Sequence, residues 1–477
     1  MRREDELAVP FVVYNTYTSA KEVFASREPG VVRMYNCGPT VYGRQHVGNF
    51  RAFLFADLLR RWLEHAGYEV RQVMNITDVG HLTDDEHDAG EDKIEVQAGR
   101  EHRTPFEISA GYADLFFADM RALGVRPALV YPRATAHVPQ MLAIVEDLLA
   151  KGHAYQVGGD VYFDVSTFPR YGRLSGNRLD ALDAGARIEV RAEKRHPADF
   201  ALWKSDPRRL MKWASRFGPD GFPGWHIECS AMAIEHLGPR LDIHTGGEDN
   251  IFPHHECEIA QSECHTGEPF ARYWMHTKFL LVDGGKMAKR LGNVYTLDDV
   301  AARGFEPRVL RYALIRGHYR QPLDFTWDVM VESRAALEKL DDLVVRLRRA
   351  AGETLPDANA GPVREARAAF ESALNDDLNV PAALAALFTL RHRVLDGELA
   401  ASGAAAALAF LLRADEVLAV MRTAEEMLDG EVEARIEARR RARAARDWAE
   451  ADRLRDDLLA RGIVLEDGPE GTTWRRR

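Results

Sequence analysis

Apolar residues follow two different periods in the first part of the chain. A short apolar run, Val31–Tyr35, predicts a buried strand. From Phe50 to His65 apolar residues recur at spacings of three and four, which predicts a helix with one apolar face. Gly67 is a helix stop, and Tyr68–Ile76 alternates towards a second strand. Strand, helix and strand over about 45 residues form the parallel βαβ unit of nucleotide-binding folds.

The pattern changes twice after this unit. Asp84–Asp92 is acidic and predicts a solvated segment, whereas Tyr155–Val165 predicts a hairpin that turns at two glycines. We interpret residues 80–200 as an insertion between two halves of one nucleotide-binding domain. Beyond Arg308 the pattern is helical to about residue 460, and Gly352–Gly361 is the clearest linker.

These patterns predict an α/β protein. A Rossmann-type parallel-sheet domain with an insertion precedes an all-α C-terminal region, which is a helical bundle with a small end. The predicted domains cover residues 1–307, with the insertion at about 80–200, then 308–351, 352–430 and 431–477.

Composition narrows the class of protein. The chain has 477 residues, of which 46% are hydrophobic and 29% are charged, as in globular proteins of two to four domains. No run of about 18 apolar residues suggests a membrane span, and the N-terminus lacks the apolar core of a signal peptide, so we expect a cytosolic protein. Four cysteines are too few for a disulfide scaffold, which leaves metal ligands, a nucleophile or buried thiols. The net charge of −11 does not exclude nucleic acid, because a local basic stripe is enough.

One group of residues suits a metal. His254 and Glu258 are four positions apart, on one helical face, and Pro253 would start that helix. With Cys37 at a strand end and Cys229 they offer two sulfurs, one nitrogen and one carboxylate, a possible tetrahedral set. Because no C-x-x-C motif is present, the spacing also allows a solvated His–Glu pair and core cysteines.

Two further segments suit phosphate. His46–Asn49 lies at the predicted helix start, where an imidazole, free amides and the helix dipole favour anions, although Asn49 is also a good helix cap. Lys286–Arg290 follows an Asp-Gly-Gly turn and offers three cations, although a solvated basic turn is the alternative. One segment lies near the start of the fold and the other after its last predicted strand, which favours a shared role.

Together these segments resemble the class I aminoacyl-tRNA synthetases and, within them, the cysteinyl-tRNA synthetase family. His46–Asn49 resembles the HIGH motif of the class, and Lys286–Arg290 resembles its KMSKS loop. The segments that resemble the cysteine-specific family are Cys37–Tyr42, Trp225–Met232 and Asp242–Gln261. The resemblance covers most of the chain and includes Asn375–Asn379 and Ala449–Asp467.

The resemblance implies a cysteine–tRNA ligase that activates L-cysteine with ATP, bound with Mg2+, and transfers it to the 3′ end of tRNA(Cys). It implies one Zn2+ per chain, which selects the thiol so that no editing domain is needed. The implied site residues are Cys37, Cys229, His254 and Glu258 for zinc, His46, Gly48, Asn49, Gly246, Asp249, Lys286 and Lys289 for ATP, and Thr77, Trp225 and His244 for cysteine. His46, Asn49, Lys286 and Lys289 are the implied catalytic residues.

The resemblance also assigns the domains. Residues 1–307 would be catalytic, 308–351 would contact the tRNA stem, 352–430 would bind tRNA, and 431–477 would bind the anticodon. Arg435–Arg446 contains six arginines and one glutamate, which suits RNA backbone. We expect a cytoplasmic monomer with no membrane partner.

The chain departs from the family pattern at several positions. Asn49 replaces the second histidine of HIGH and cannot carry a charge, while Ala288 and Arg290 replace the two serines of KMSKS. Thr245 and Cys257 stand where glycine and asparagine are common. Cys257 either reaches the metal or is a buried bystander thiol.

Three other functions are compatible with parts of the sequence. A cysteine ligase of the mycothiol pathway joins cysteine to an amino-sugar with a similar catalytic domain, but residues 360–477 speak against it. A non-catalytic RNA-binding relative would have lost the lysines of 286–290 or the metal ligands. A zinc-dependent hydrolase would need an H-E-x-x-H-like motif, which the sequence lacks.

Overall fold

The structure is a computed structural model that describes residues 10–84, 89–177, 194–287, 291–357, 359–422, 424–468 and 471–476. The chain divides into two compact units, residues 1–419 and 420–477. Within the described ranges, no helix is both long and apolar enough to cross a bilayer. The predicted residue Lys289 lies outside the described residues, as do Ala288 and Arg290.

The predicted βαβ unit is confirmed. The elements up to it are β1 (Val12–Asn15), β2 (Ala20–Val23), β3 (Val31–Asn36), α1 (Val47–His65) and β4 (Glu69–Met74). Strands β3 and β4 are parallel neighbours, and α1 connects them. Helix α1 begins at Val47, earlier than the predicted Phe50, and its face of Phe50, Leu54 and Trp62 is buried because it packs on the sheet side of the domain.

The second half of the parallel sheet comes much later in the sequence. Its elements are α5 (Trp225–Leu237), β12 (Leu241–Gly247), α6 (Glu256–Thr266) and β13 (Ala271–Thr277). The four parallel strands lie in the order β13-β12-β3-β4, so β12 pairs with β3 across the point where the order reverses. Ligands of open α/β sheets bind at such a point, outside the carboxyl ends of the strands.

Residues between β4 and α5 form the insertion. Its elements are β5 (Leu82–Asp84), β6 (Ala89–Asp92), α2 (Lys93–Glu101), α3 (Pro105–Ala122), α4 (Val138–Ala150), β7 (Ala154–Val157), β8 (Asp160–Phe163), β9 (Phe200–Ser205), β10 (Trp213–Ser215) and β11 (Gly218–Pro223). Strands β7 to β11 form an antiparallel sheet in the order β10-β11-β9-β8-β7. The predicted hairpin is confirmed, since β7 and β8 pair across Gly158 and Gly159.

The prediction of a solvated acidic segment is wrong at its last residue. Asp92 is 5% exposed and forms an ion pair with the equally buried Arg209. Its Oδ1 also accepts hydrogen bonds from the backbone N–H groups of Ile94 (2.7 Å) and Glu95 (2.9 Å), so it caps α2. The sequence pattern does not reveal this role of Asp92, because its buried partner Arg209 is distant in sequence.

The rest of the first unit is mainly helical. Its elements are β14 (Leu280–Val282), β15 (Gly285–Lys286), α7 (Leu297–Ala302), α8 (Pro307–Ile315), β16 (Leu323–Phe325), α9 (Trp327–Ala351), α10 (Gly361–Asn375), α11 (Val380–Leu395) and α12 (Ala401–Leu418). The predicted linker separates α9 from α10. The fully buried Arg311 joins the bundle to the sheet domain, since it donates to Asp57 Oδ2 (2.6 Å) and to the carbonyl of Leu418 (2.7 Å).

The second unit contains α13 (Ala424–Ala444), α14 (Trp448–Ala460), β17 (Ile463–Gly468) and β18 (Gly471–Arg476). The two strands form an antiparallel hairpin. The predicted arginine stripe is divided. Arg439 is buried and Arg435 pairs with Asp457 (2.9 Å), whereas Arg440 and Arg441 are exposed and pair with Glu437 of their own helix. The domain boundaries proposed from the sequence stay predictions.

Candidate active site and metal centre

A cleft of about 430 Å3 opens where the chain leaves β3 and β12. The predicted site residues that line it are Cys37, His46, Gly48, Asn49, Trp225 and Asp249. Thr77, His244 and Gly246 are buried behind its wall and are not among the lining residues. The cleft therefore joins the cysteine-containing end of the site to the start of α1.

The four predicted metal donors come together at one end of this cleft. Cys37 follows β3, Cys229 lies in the first turns of α5, His254 lies in the turn before α6, and Glu258 lies on α6. Their donor atoms all lie within 4.8 Å of one another. His254 Nε2 is 3.5 Å from Cys229 Sγ and 3.1 Å from Glu258 Oε1, which is 3.9 Å from Cys37 Sγ.

The helix that carries Glu258 starts where Pro253 predicts. Phe252 is extended (φ −139°, ψ 134°), and helical backbone angles begin at Pro253 and lead into α6. The spacing of four then places His254 against Glu258.

Burial disfavours the charged forms of these donors. Burial raises the pKa of the Glu258 carboxyl to about 7 and raises the pKa of the Cys37 thiol well above its usual range. Burial also lowers the pKa of the His254 imidazole to about 4. A divalent cation favours the deprotonated form of each donor, and two sulfurs, a nitrogen and a carboxylate oxygen form a set that zinc accepts. The residues fit a zinc ion.

Sequence reasoning missed a group of histidines around these donors. His226 Nδ1 lies 2.8 Å from His254 Nδ1, so it orients a predicted ligand. His255 Nε2 is 3.2 Å from Cys37 Sγ, and its Nδ1 is 2.8 Å from His276 Nε2. The adjacent histidines 254 and 255 were a usable signal, but their spacing alone did not show that both face the same centre.

Cys257 lies apart from the metal donors. It is fully buried, and its Sγ is 3.5 Å from the hydroxyl of Tyr171. It belongs to neither of the donor groups found among the described residues. Its position agrees with a buried bystander thiol.

The predicted cysteine-pocket residues occupy two layers. Trp225 is half-buried, lines the cleft and lies 4.6 Å from the His254 ring between centroids. Thr77 lies behind the wall, where its hydroxyl donates to Glu228 Oε2 (3.0 Å) and accepts from Asn75 Nδ2 (3.0 Å). Glu228, which the sequence did not suggest, also pairs with His81 Nε2 at 2.7 Å.

At the other end of the cleft, His46 is the N-cap residue of α1 in an extended conformation. Asn49 Oδ1 accepts a hydrogen bond from the backbone N–H of His46 (3.2 Å), so the helix-cap role expected as an alternative is present. The Met287 side chain covers Gly48, because a Cβ added at Gly48 would lie 2.2 Å from Met287 Cε.

The remaining predicted residues lie at the edge of this end. Asp249 is exposed in a 3-10 turn after β12, and Gly246 lies in the last part of that strand. Lys286 is exposed on β15 and is not among the cleft-lining residues.

Comparisons with known families cover most of the chain. Residues 23–335 match the family model for the tRNA synthetases class I (C) catalytic domain. Residues 369–422 match the DALR domain, and residues 425–475 match the cysteinyl-tRNA ligase anticodon binding domain.

Curated relatives match over nearly their full length. A protein of Chlorobaculum tepidum named Cysteine–tRNA ligase is 44% identical over 98% of this chain and 99% of its own. Proteins of the same name from Symbiobacterium thermophilum and Thermus thermophilus are 46% and 44% identical over 97% of this chain and 99% of theirs. The mycothiol-pathway alternative is not supported.

Solved structures share the fold. Mycobacterium tuberculosis methionyl-tRNA synthetase, in complex with methionyl-adenylate, matches with a TM-score of 0.56 at 15% identity, over 82% of this chain and 90% of that one. A putative arginyl-tRNA synthetase of Campylobacter jejuni matches with a TM-score of 0.55 at 13% identity, over 84% and 95%. The α/β class predicted from the sequence is confirmed, and the chain belongs to the cysteine–tRNA ligase family of class I aminoacyl-tRNA synthetases.

Proposed function

We propose that the protein activates L-cysteine with ATP to cysteinyl-adenylate and transfers the cysteinyl group to the 3′ end of tRNA(Cys). A Zn2+ ion held by Cys37, Cys229, His254 and Glu258 would select the thiol. The observation that carries this proposal is the position of Cys37. It is one of four clustered metal donors and also lines the cleft that leads to the start of α1.

The metal end supports discrimination by chemistry rather than by size. A pocket that relies on shape alone rejects a near-isostere such as serine by only about a hundredfold. When bound, zinc supplies a thiophilic Lewis acid that favours a thiolate over a hydroxyl. Trp225 closes the pocket beside His254, while Thr77 and His244 support its wall.

The nucleotide end supports phosphate chemistry. A carboxylate oxygen of cysteine attacks the α-phosphorus of ATP, the bond to the β-phosphate oxygen breaks, and pyrophosphate leaves. His46 and Asn49 at the start of α1 would contact the triphosphate, with Asn49 offering its amide N–H groups because its oxygen accepts from His46. Lys286 and Lys289 would neutralise the departing pyrophosphate.

The other contacts complete the two steps. Gly48 would let the phosphates approach α1, and Gly246 and Asp249 would lie beside the adenosine. In the second step a hydroxyl of the terminal tRNA adenosine attacks the acyl carbon, and AMP leaves. Little proton transfer is needed in the first step, so catalysis there is positioning and charge stabilisation.

Exchange of ATP with labelled pyrophosphate tests the substrate, the reaction and the metal together. Cysteine should support exchange, serine should support it at least about a hundredfold less, and a zinc chelator should abolish it until Zn2+ is restored. Equal exchange with serine and cysteine would contradict selection by the thiol.

The C-terminal region would bind the tRNA body and anticodon. The exposed Arg440 and Arg441 on α13 support this, because exposed arginines suit phosphate and unstacked bases. Deleting residues after about 430 should leave pyrophosphate exchange intact and impair charging of tRNA. Full charging by the shortened protein would show that this region is not needed. We propose that the protein acts in the cytoplasm as a monomer.

A further inference from the structure

The metal centre contains a second set of four donors that overlaps the first. Cys37 and Glu258 belong to both sets, and in the second set His244 and His255 take the places of Cys229 and His254. The donor atoms of the second set also lie within 4.8 Å of one another. Both added histidines are fully buried.

We propose that the metal has two overlapping positions, and that Cys37, His244, His255 and Glu258 can hold an ion without Cys229. The inference rests on the metal site of the proposed function and extends it, since it makes the two cysteines unequal. Cys37 is needed at both positions, whereas Cys229 is needed at only one.

The geometry of the second set resembles that of the first. Cys37 Sγ is 3.2 Å from His255 Nε2, and Glu258 Oε2 is 2.9 Å from His244 Nε2. Bonds of about 2.0–2.3 Å in a tetrahedral site place ligand atoms roughly 3–4 Å apart. The oxygens of Glu258 serve both sets, because Oε1 lies 3.1 Å from His254 Nε2 and 4.0 Å from His255 Nε2, while Oε2 is the atom that faces His244.

Hydrogen bonds behind the second set favour the ligand form of His255. Its Nδ1 is 2.8 Å from His276 Nε2, and His276 Nδ1 is 2.8 Å from Thr16 Oγ1. When each Nδ1 carries the proton and donates along this series, the Nε2 lone pair of His255 points towards Cys37. Metal-binding histidines generally show this support from a second residue. The His244 ring is held by stacking on Trp274, with centroids 4.6 Å apart.

The two positions differ in chemistry as well as in place. The first offers two thiolates and one imidazole, and the second offers one thiolate and two imidazoles, each with the Glu258 carboxylate. Both are sets that zinc and cobalt accept. Cobalt reports the difference, because each thiolate ligand adds charge-transfer absorption.

The test measures bound metal in full-length variants dialysed against Zn2+ or Co2+. Wild type should hold about one ion per chain. Cys229→Ala should also hold about one ion, with roughly half the Co2+ charge-transfer absorption of wild type, and Cys37→Ala should hold none. His255→Gln should hold the ion through the first set, and Cys229→Ala combined with His255→Gln should hold none. Cys264→Ala, a half-buried thiol outside both sets, is the matched control and should behave as wild type.

Circular dichroism checks folding, and Cys229→Ser, which keeps the volume of the side chain, is measured in parallel. Loss of metal from folded Cys229→Ala and Cys229→Ser would overturn the inference, as would full retention by the double variant. Wild type that binds no metal would instead contradict the proposed function, so the two failures are distinguishable.

Discussion

The two ends of the cleft are built differently. At the metal end, three of the four donors are buried, Cys37 is half-buried in the cleft wall, and further histidines such as His226 hold the donors in place. At the nucleotide end, Asp249 and Lys286 are exposed and the Met287 side chain lies over the start of α1. A choice between two similar side chains requires donors that are fixed before the substrate arrives. A triphosphate brings enough charge to be bound by exposed groups that adjust to it.

The largest expected effect is at the metal end. Cys37→Ala removes a donor that both metal positions require, so we expect cysteine-dependent pyrophosphate exchange to fall by at least about a thousandfold. Exchange assays and metal content check this, with Cys264→Ala as the control. Normal pyrophosphate exchange by Cys37→Ala would show that the metal end does not depend on a fixed set of donors.

A smaller effect is expected from the exposed cations. Lys286→Ala should lower kcat for exchange by about a hundredfold and leave KM for cysteine nearly unchanged, because the lysine would act on pyrophosphate only. Lys289→Ala should behave in the same way. Lys339→Ala changes an exposed lysine of α9 and is the control. A raised KM for cysteine with an unchanged kcat would place Lys286 at the wrong end of the cleft.

Substitution of one glycine at each end of the cleft tests whether the metal end is more rigid than the nucleotide end. A Cβ at Gly38 would lie 1.7 Å from the backbone carbonyl oxygen of Asn75, whereas a Cβ at Gly48 would meet side chains alone, at 2.2 Å from the flexible end of Met287 and 3.2 Å from Nδ1 of the His46 ring. Gly38→Ala should therefore destabilise the protein by about 1–3 kcal/mol, while Gly48→Ala should leave Tm unchanged and raise KM for ATP. Thermal unfolding of both variants measures the difference. Equal losses of Tm would show that the nucleotide end is as rigid as the metal end.

The smallest effect concerns an ion pair near the nucleotide end. Arg44 lines the cleft and donates to Asp119, yet burial raises the pKa of Asp119 to about 6. Because the folded state binds this proton more tightly than the unfolded state, the stability it contributes is present at low pH and is lost as pH rises through about 6. Asp119→Asn should match wild type near pH 4 and exceed its stability by about 1 kcal/mol at pH 8. Denaturant unfolding at pH 4 and pH 8 measures the difference in stability between the variant and wild type. If Asp119→Asn were less stable than wild type at pH 8, the ionised Asp119 would stabilise the fold, contrary to this prediction.

Local patterns predicted what local interactions determine. The βαβ unit from Val31 to Met74 and the hairpin at Gly158 follow from periodicity and turn residues, and the structure has both. Spacing and residue type suggest the four metal donors, and the family resemblance strengthens that prediction because it links the distant segments that carry them. The family was correctly identified on the same grounds.

The contacts that sequence reasoning missed are all non-local. The acidic neighbours of Asp92 predict a solvated side chain, whereas its buried partner Arg209 belongs to a later part of the insertion. Nothing near His276 in the sequence indicates that it reaches His255. Hydrogen bonds between side chains from different elements leave no periodic trace along the chain.

The pairing of β3 with β12 has a consequence for synthesis of the protein. Asn36 and Thr245, which are hydrogen-bonded across these strands, are 209 positions apart. A chain growing on the ribosome carries Cys37 early, but its partners on α5 and α6 emerge only after the whole insertion. The insertion can fold first around its own antiparallel sheet, before β12 has been synthesised and can pair with β3. Because closing so long a loop is entropically costly, docking of β12 is expected to be a late step, and metal capture would mark its completion.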